Sequence, residues 1–225
     1  MTEVISEVTM SLKIISDMGD FGSNAYVVSD DESAVLIDAP CDPSRLLEAL
    51  EGKKLEAILL THGHIDHMYA AGELKKTTGC DVYISQEDAG MLESPELSLA
   101  NYFSEPFERC SGAKLVHDGD KLTFCGMEFM VISTPGHTKG SVCYVCKSEN
   151  AIFSGDTLFA GSIGRNFSGE TYKKIIPSIE RLYDLGVNYN VYPGHGEKTD
   201  LRTELAYNPF LGELSERIKP DWSQK

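Results

Sequence analysis

The chain has 225 residues, of which 41% are hydrophobic, 9% aromatic and 24% charged, a balance that fits a globular protein and excludes disordered, collagen-like and coiled-coil chains. Lys and Arg number 20 against 35 Asp and Glu, a net charge of −15, so no wrapping of a nucleic-acid backbone and no binding to an anionic membrane is expected. No apolar run reaches the ~20 residues of a membrane span, and the N-terminus carries acidic residues before its first apolar stretch and no small-residue cleavage site, so the expected compartment is the cytoplasm and the six cysteines are expected as reduced thiols, mostly in the core.

Short β-type runs bounded by turn residues come first, at 12–16, 25–29, 34–37, 55–60 and 82–85. A helix is expected at 43–50, opened by Asp42 as N-cap with Pro43 at its first position, and another over 68–77, closed by Gly79. Further strands follow near 114–116, 122–124, 129–133, 141–145, 151–154 and 187–192. Between the last two, the spacing of Tyr172, Ile175, Ile176, Ile179, Leu182 and Tyr183 predicts an amphipathic helix that Pro177 either kinks or begins. No linker, charge block or low-complexity segment divides the chain, so residues 1–225 read as one domain of two similar halves. Strands such as 57–60 and 187–191 do not alternate with polar residues, which predicts sheets covered on both faces, one by the other sheet and one by helices.

Five of the six histidines fall in three short segments that each follow an expected strand: THGHIDH at 61–67, TPGHTKGS at 134–141 and YPGHG at 192–196. A fourth segment, SGDTLF at 154–159, sets a carboxylate after another strand. Loops at strand ends can bring side chains to one point above a rigid sheet. Imidazole nitrogens and carboxylate oxygens suit zinc and similar metals. His62, His64, Asp66, His67, His137, Asp156 and His195 exceed the three protein ligands of a single catalytic zinc, so two divalent metal ions are the expected count, with Asp156 bridging them. Zinc comes first, with iron or manganese as alternatives. His117, before an Asp-Gly-Asp turn, reads as a surface residue, and Cys143 and Cys146 as core thiols on opposite faces of a strand.

These motifs resemble those of the metallo-β-lactamase-fold hydrolases, specifically the glyoxalase II-like (hydroxyacylglutathione hydrolase-like) branch in its small single-domain form. The resemblance implies an α/β fold, a four-layer αββα sandwich of two mixed sheets flanked by helices, with the metals at one edge between the sheets. It also implies that one metal takes His62, His64 and His137 and the other Asp66, His67 and His195, with Asp156 and a water-derived hydroxide bridging them. That hydroxide attacks a carbonyl of a small acyl thioester, and Asp66 can shuttle a proton. Asp38 matches a position that orients a ligating histidine, a role weighed equally against a turn or cap aspartate. Arg165 stands where glyoxalase II proteins hold the substrate's glycine carboxylate, and Phe167 where many have a tyrosine. The stretch 91–110, with Tyr102, Phe103 and Phe107, is similar to the family's variable pocket-wall loop. The partner expected is a small-molecule substrate, with no nucleic acid and no membrane, and the chain a monomer or homodimer. A mononuclear-iron persulfide dioxygenase of the same fold, or a lactone or phosphodiester hydrolase, are the competing chemistries.

Overall fold

A computed structural model describes residues 11–18, 22–40, 42–103, 106–165, 171–220 and 222. Strands Ser11–Met18 (β1), Ser23–Ser29 (β2), Ser33–Ile37 (β3), Lys54–Leu59 (β4), Asp81–Ser85 (β5) and Lys114–Val116 (β6) form a six-stranded sheet in sequence order. It is antiparallel from β1 to β3 and parallel from β3 to β6. Strands Lys121–Phe124 (β7), Met127–Ser133 (β8), Val142–Cys146 (β9), Ala151–Gly155 (β10), Asn190–Pro193 (β13) and Thr199–Asp200 (β14) form the second, in the order β14-β13-β10-β9-β8-β7. There only β10 and β13 run parallel. A small hairpin of Leu158–Phe159 (β11) and Ser162–Ile163 (β12) follows β10.

Alternate residues of each central strand enter different cores, as the period of two dictates. In β9, Val142, Tyr144 and Cys146 face the first sheet while Cys143 and Val145 face helices. In β3, Val35 and Ile37 lie between the sheets while Ala34 and Leu36 pack outward. Helices Pro43–Ala49 (α1) and Ala71–Thr78 (α3) cover the first sheet, and Thr171–Tyr183 (α4), Leu201–Tyr207 (α5) and Gly212–Arg217 (α6) the second. The layers are therefore helix, sheet, sheet, helix, and the continuous apolar strands are explained by burial on both faces. Five cysteines among the described residues, Cys80, Cys110, Cys125, Cys143 and Cys146, are buried and free. No helix of the described residues is long and apolar enough to cross a membrane.

Local signals account for several boundaries. Asp42 accepts from Ser44 N at 2.7 Å with Pro43 in the first turn of α1, and Gly79 ends α3 in the left-handed region at φ 74°. The one helix expected at 68–77 is instead two, Ile65–Met68 (α2) and α3. The break arises because Ala39 N takes the His67 carbonyl and returns its own carbonyl to Ala70 N, which interrupts the helical ladder and pins it beside β3. Pro177 lies inside α4 and does not begin it, and the neighbouring Ser178 hydroxyl reaches Pro135 O at 2.7 Å, tying the helix to the loop that carries His137. The last long strand begins at Asn190 rather than 187, since Val187 and Tyr189 close a turn and join the helix-side core. The side chain of Tyr172 lies outside the described residues.

Candidate metal centre

Each segment singled out by its histidines or carboxylate follows the end of a strand. β4 leads into His62 and His64, with Asp66 and His67 in the short α2; β8 leads to His137, β10 to Asp156 and β13 to His195. The two sheets thus deliver all seven side chains to one edge. Three overlapping groups can hold a metal ion, their ligand atoms lying within 4.8 Å of one another: His62, His64 and His137; His62, His67 and Asp156; Asp66, His67 and His195. Gly194 lets the β13 loop approach, since a Cβ there would collide with Asp156 Oδ1 and His67 Cε1.

Distances divide the centre into two ends. His64 Nδ1 stands 3.1 Å from His62 Nε2 and 2.9 Å from His137 Nε2. Three tetrahedral ligands at ~2.0–2.1 Å from zinc would stand about 3.3 Å apart. At the other end, His195 Nε2 lies 3.2 Å and His67 Nε2 3.5 Å from Asp66 Oδ2. Asp156 spans both: its Oδ1 faces His67 Nε2 at 3.3 Å, and its Oδ2 is 3.4 Å from His137 Nε2 and 3.6 Å from His195 Nε2.

The outward-facing ring nitrogens are held by acceptors, which turns the others inward. His67 Nδ1 donates to Asp38 Oδ2 at 2.8 Å, His137 Nδ1 to Arg165 O at 2.5 Å and His195 Nδ1 to Gly22 O at 3.1 Å. His62 Nδ1 donates to Thr61 Oγ1 at 3.1 Å, and that hydroxyl donates on to Asp38 Oδ2 at 2.8 Å. Asp38, backbone φ 56°, therefore steadies two histidines and also accepts from Thr61 N. In its neutral form, with the proton on Nδ1 for Asp38, His67 presents a lone pair towards Asp156 Oδ1, and both atoms are fully buried without a hydrogen-bond partner. Two acceptors facing each other in a dry interior is the arrangement a cation resolves, so the residues fit a metal.

The charges follow the same division. Burial drives His62 well below its ordinary value, with His67, His64 and His137 adding to it, and burial followed by His137 takes His64 down to about 4. Neutral imidazoles are the form that binds metal. Burial pushes Asp66 and Asp156 up, but His67 foremost and His195 as well outweigh it, leaving both carboxyls below their ordinary range. For His67 burial pushes down while Asp66, Asp156 and Asp38 push harder, so it lies well above its ordinary value: the carboxylates call for a positive charge at Nε2, which either a proton or a cation in its place supplies. His195 is also raised, burial opposing and Asp66 and Asp156 prevailing. His62 and His64 are held neutral at one end, and the carboxylates of the other draw positive charge.

Of the expected substrate residues, Arg165 is exposed at the end of the stretch after β12, its carbonyl on His137, while Phe167 lies outside the described residues. Tyr102 and Phe103 are exposed and Phe107 half-buried, and their loop is tied to the centre where Ser98 O accepts from Ile65 N at 2.9 Å. His117 is exposed, away from the cluster.

Several supporting residues carry no signal in the sequence motifs. Ser23 donates to Asp66 Oδ2 at 3.2 Å. Asn24 Nδ2 donates to Pro193 O and Gly196 O at 3.0 and 2.9 Å, around His195. Tyr26 OH reaches Pro193 O, and Asp88 ties two ligand loops together. Asp88 alone had a usable signal, an acidic residue just past a strand, like Asp156.

Residues 18–195 match the family model of the metallo-beta-lactamase superfamily. The hydroxyacylglutathione hydrolase GloC of Haemophilus influenzae is 34% identical over 217 residues, covering 92% of this chain and 100% of GloC. The crystal structure of BLEG-1, a B3 metallo-beta-lactamase, superposes with a TM-score of 0.83 at 34% identity, covering 90% of this chain and 100% of that one. That of TTHA1623 in a di-iron-bound form superposes with a TM-score of 0.78 at 34% identity, covering 88% and 100%.

Proposed function

The chain belongs to the metallo-beta-lactamase superfamily, and from that premise we propose that it is a metal-dependent hydrolase of small acyl thioesters such as hydroxyacylglutathione, acting as one domain with two divalent ions, zinc first. The observation that carries this is the facing pair His67 Nε2 and Asp156 Oδ1, buried and unpartnered, in a carboxylate that also reaches His137 and His195. The likeness to GloC supports the thioester and the di-iron form of TTHA1623 supports the count of two.

His62, His64 and His137 would hold one ion and Asp66, His67 and His195 the other, with Asp156 between. When bound, two such ions supply a water acidic enough to ionise near neutral pH and positive charge for an oxyanion. Asp38 keeps the His67 proton on Nδ1 and its Nε2 open. The Asp66 side chain is 19% exposed against 10% for Asp156, so Asp66 is the more accessible carboxylate to take a proton from the attacking water. A thiolate leaves without a strong acid, and no serine or cysteine nucleophile is required. The exposed Arg165 guanidinium suits a substrate carboxylate by bidentate pairing, and the net charge of −15 favours a small-molecule partner over a nucleic acid.

Metal analysis of unchelated protein followed by a panel of S-lactoylglutathione, other acyl thioesters, a lactone, a phosphodiester and a β-lactam tests this. About two ions per chain with thioester turnover ahead of the rest is the expected result. A single iron with oxygen uptake on a persulfide would replace the proposal, and a preference for the β-lactam would move the substrate while keeping the centre.

A further inference from the structure

Asp88 sits three residues past β5, belongs to none of the histidine motifs and is fully buried. Its Oδ2 accepts from Gly63 N at 3.2 Å and from Thr138 Oγ1 at 2.6 Å, and its Oδ1 from Gly140 N at 2.9 Å. Gly63 lies between His62 and His64, and Thr138 and Gly140 follow His137. One carboxylate therefore joins the loop of one sheet that carries two histidines to the loop of the other sheet that carries the third. All three donors are neutral, so these hydrogen bonds hold the buried charge without a salt bridge among them, a costly arrangement for stability alone. Burial accordingly pushes the Asp88 carboxyl above its ordinary value, with Thr138, Gly140 and Gly63 pulling it back.

The fit around it is close. A Cβ on Gly140 would collide with Ser85 Oγ and the Asp88 carboxylate, and a Cβ on Gly63 would collide with the Met91 side chain and crowd Asp88 O. The glycine inside the His62–His64 pair and the glycine after His137 are both shaped to the turn that presents Asp88. A carboxylate has acceptor positions for three donors at once, whereas an amide in its place turns a donor towards one of them.

We infer that Asp88 is a positioning residue that sets the spacing of His62 and His64 against His137, and with it the affinity of that end alone for its cation. It belongs to none of the three groups that can hold a metal ion. The inference rests on the two-ion reading above. Groups that orient metal ligands are worth about 10–100-fold in metal affinity, and the contacts of Asp88 converge on one end only.

The test is a two-site titration of the metal-depleted full chain with cobalt(II), read by absorption, and with zinc, read by calorimetry. In Asp88→Asn the expected result is about 10–100-fold weaker binding at one site, an altered cobalt spectrum for that site and unchanged affinity at the other. Thr138→Val, which removes one of the three donors, shifts the same site less, and it serves as the readout should Asp88→Asn not fold. In a His64→Ala background, where this end is already broken, adding Asp88→Asn leaves the remaining ion's affinity unchanged. Equal weakening of both sites, or a lowered melting temperature of the metal-free protein with both affinities intact, would overturn the inference in favour of a general structural role. Wild-type protein that takes fewer than two ions removes the two-ion reading itself, and the inference with it.

Discussion

At one end of the centre three imidazoles meet, with burial holding His62 and His64 neutral; at the other, Asp66 joins His67 and His195, and the surrounding carboxylates draw positive charge onto both rings. The supports differ as well. The imidazole end is tied across the two sheets by Asp88, the carboxylate end by Asp38 from β3 and by the start of β2 through Ser23 and Asn24. Two sites that share Asp156 thus differ in their main supports, with Asp38 reaching the imidazole end only through the Thr61 hydroxyl under His62, and they should be largely separable by mutation.

Asp156 is the one residue that should defeat that separation. Asp156→Asn removes charge from the oxygen facing His67 and from the one reaching His137 and His195. Metal content is expected to fall below two ions per chain, and turnover to fall by more than the about 100-fold at the upper end for supporting groups. Two ions and full turnover in this variant would make the ends independent. The next effect is a loss at one end only. His64→Ala and Asp66→Asn should each retain about one ion. Because a carboxylate attracts a cation more strongly than a neutral imidazole at the same distance, the ion kept by His64→Ala should resist a chelator that strips the one kept by Asp66→Asn. The reverse order of release would break the electrostatic half of the comparison.

Which parts of this centre could be read from the sequence follows from how locally each is encoded. His62, His137, Asp156 and His195 each carry a strand, a glycine and a metal-binding side chain within a few residues, so four short segments declare themselves without knowledge of the fold. The layering was legible for the same reason, since strands such as β3 and β9 are apolar on both faces. Asn24 meets Pro193 from 169 positions away, and nothing near it in the chain advertises that contact. The split between α2 and α3 depends on Ala39 capturing the His67 carbonyl, a tertiary event that the helical pattern at 68–77 does not contain. The helices α5 and α6 have seven and six residues, too few for a periodic pattern to stand out.

Smaller effects belong to the supports of the carboxylate end. Asp38→Asn keeps a residue tolerated at φ 56°, but it weakens the acceptor that fixes His67 Nδ1 and Thr61. The ion at that end should bind about 10–100-fold more weakly, with the imidazole end changed less, the mirror image of Asp88→Asn. Asn24→Ala should act in the same direction and more gently. Its amide donates to Pro193 O and Gly196 O on either side of the segment holding His195, and Pro193 O retains Tyr26 OH while the Asn24 backbone N–H still reaches Gly194 O. The residue is 2% exposed, so the lost donor is not replaced freely by water, and the metal-free protein should lose about 1–2 kcal/mol in denaturant unfolding. The loop remains attached through those other bonds, so the affinity at the carboxylate end should fall less than in Asp38→Asn. A loss of affinity at the imidazole end instead would mean that the supports on the two sides are coupled through the shared carboxylate of Asp156, and that the two ends answer as one.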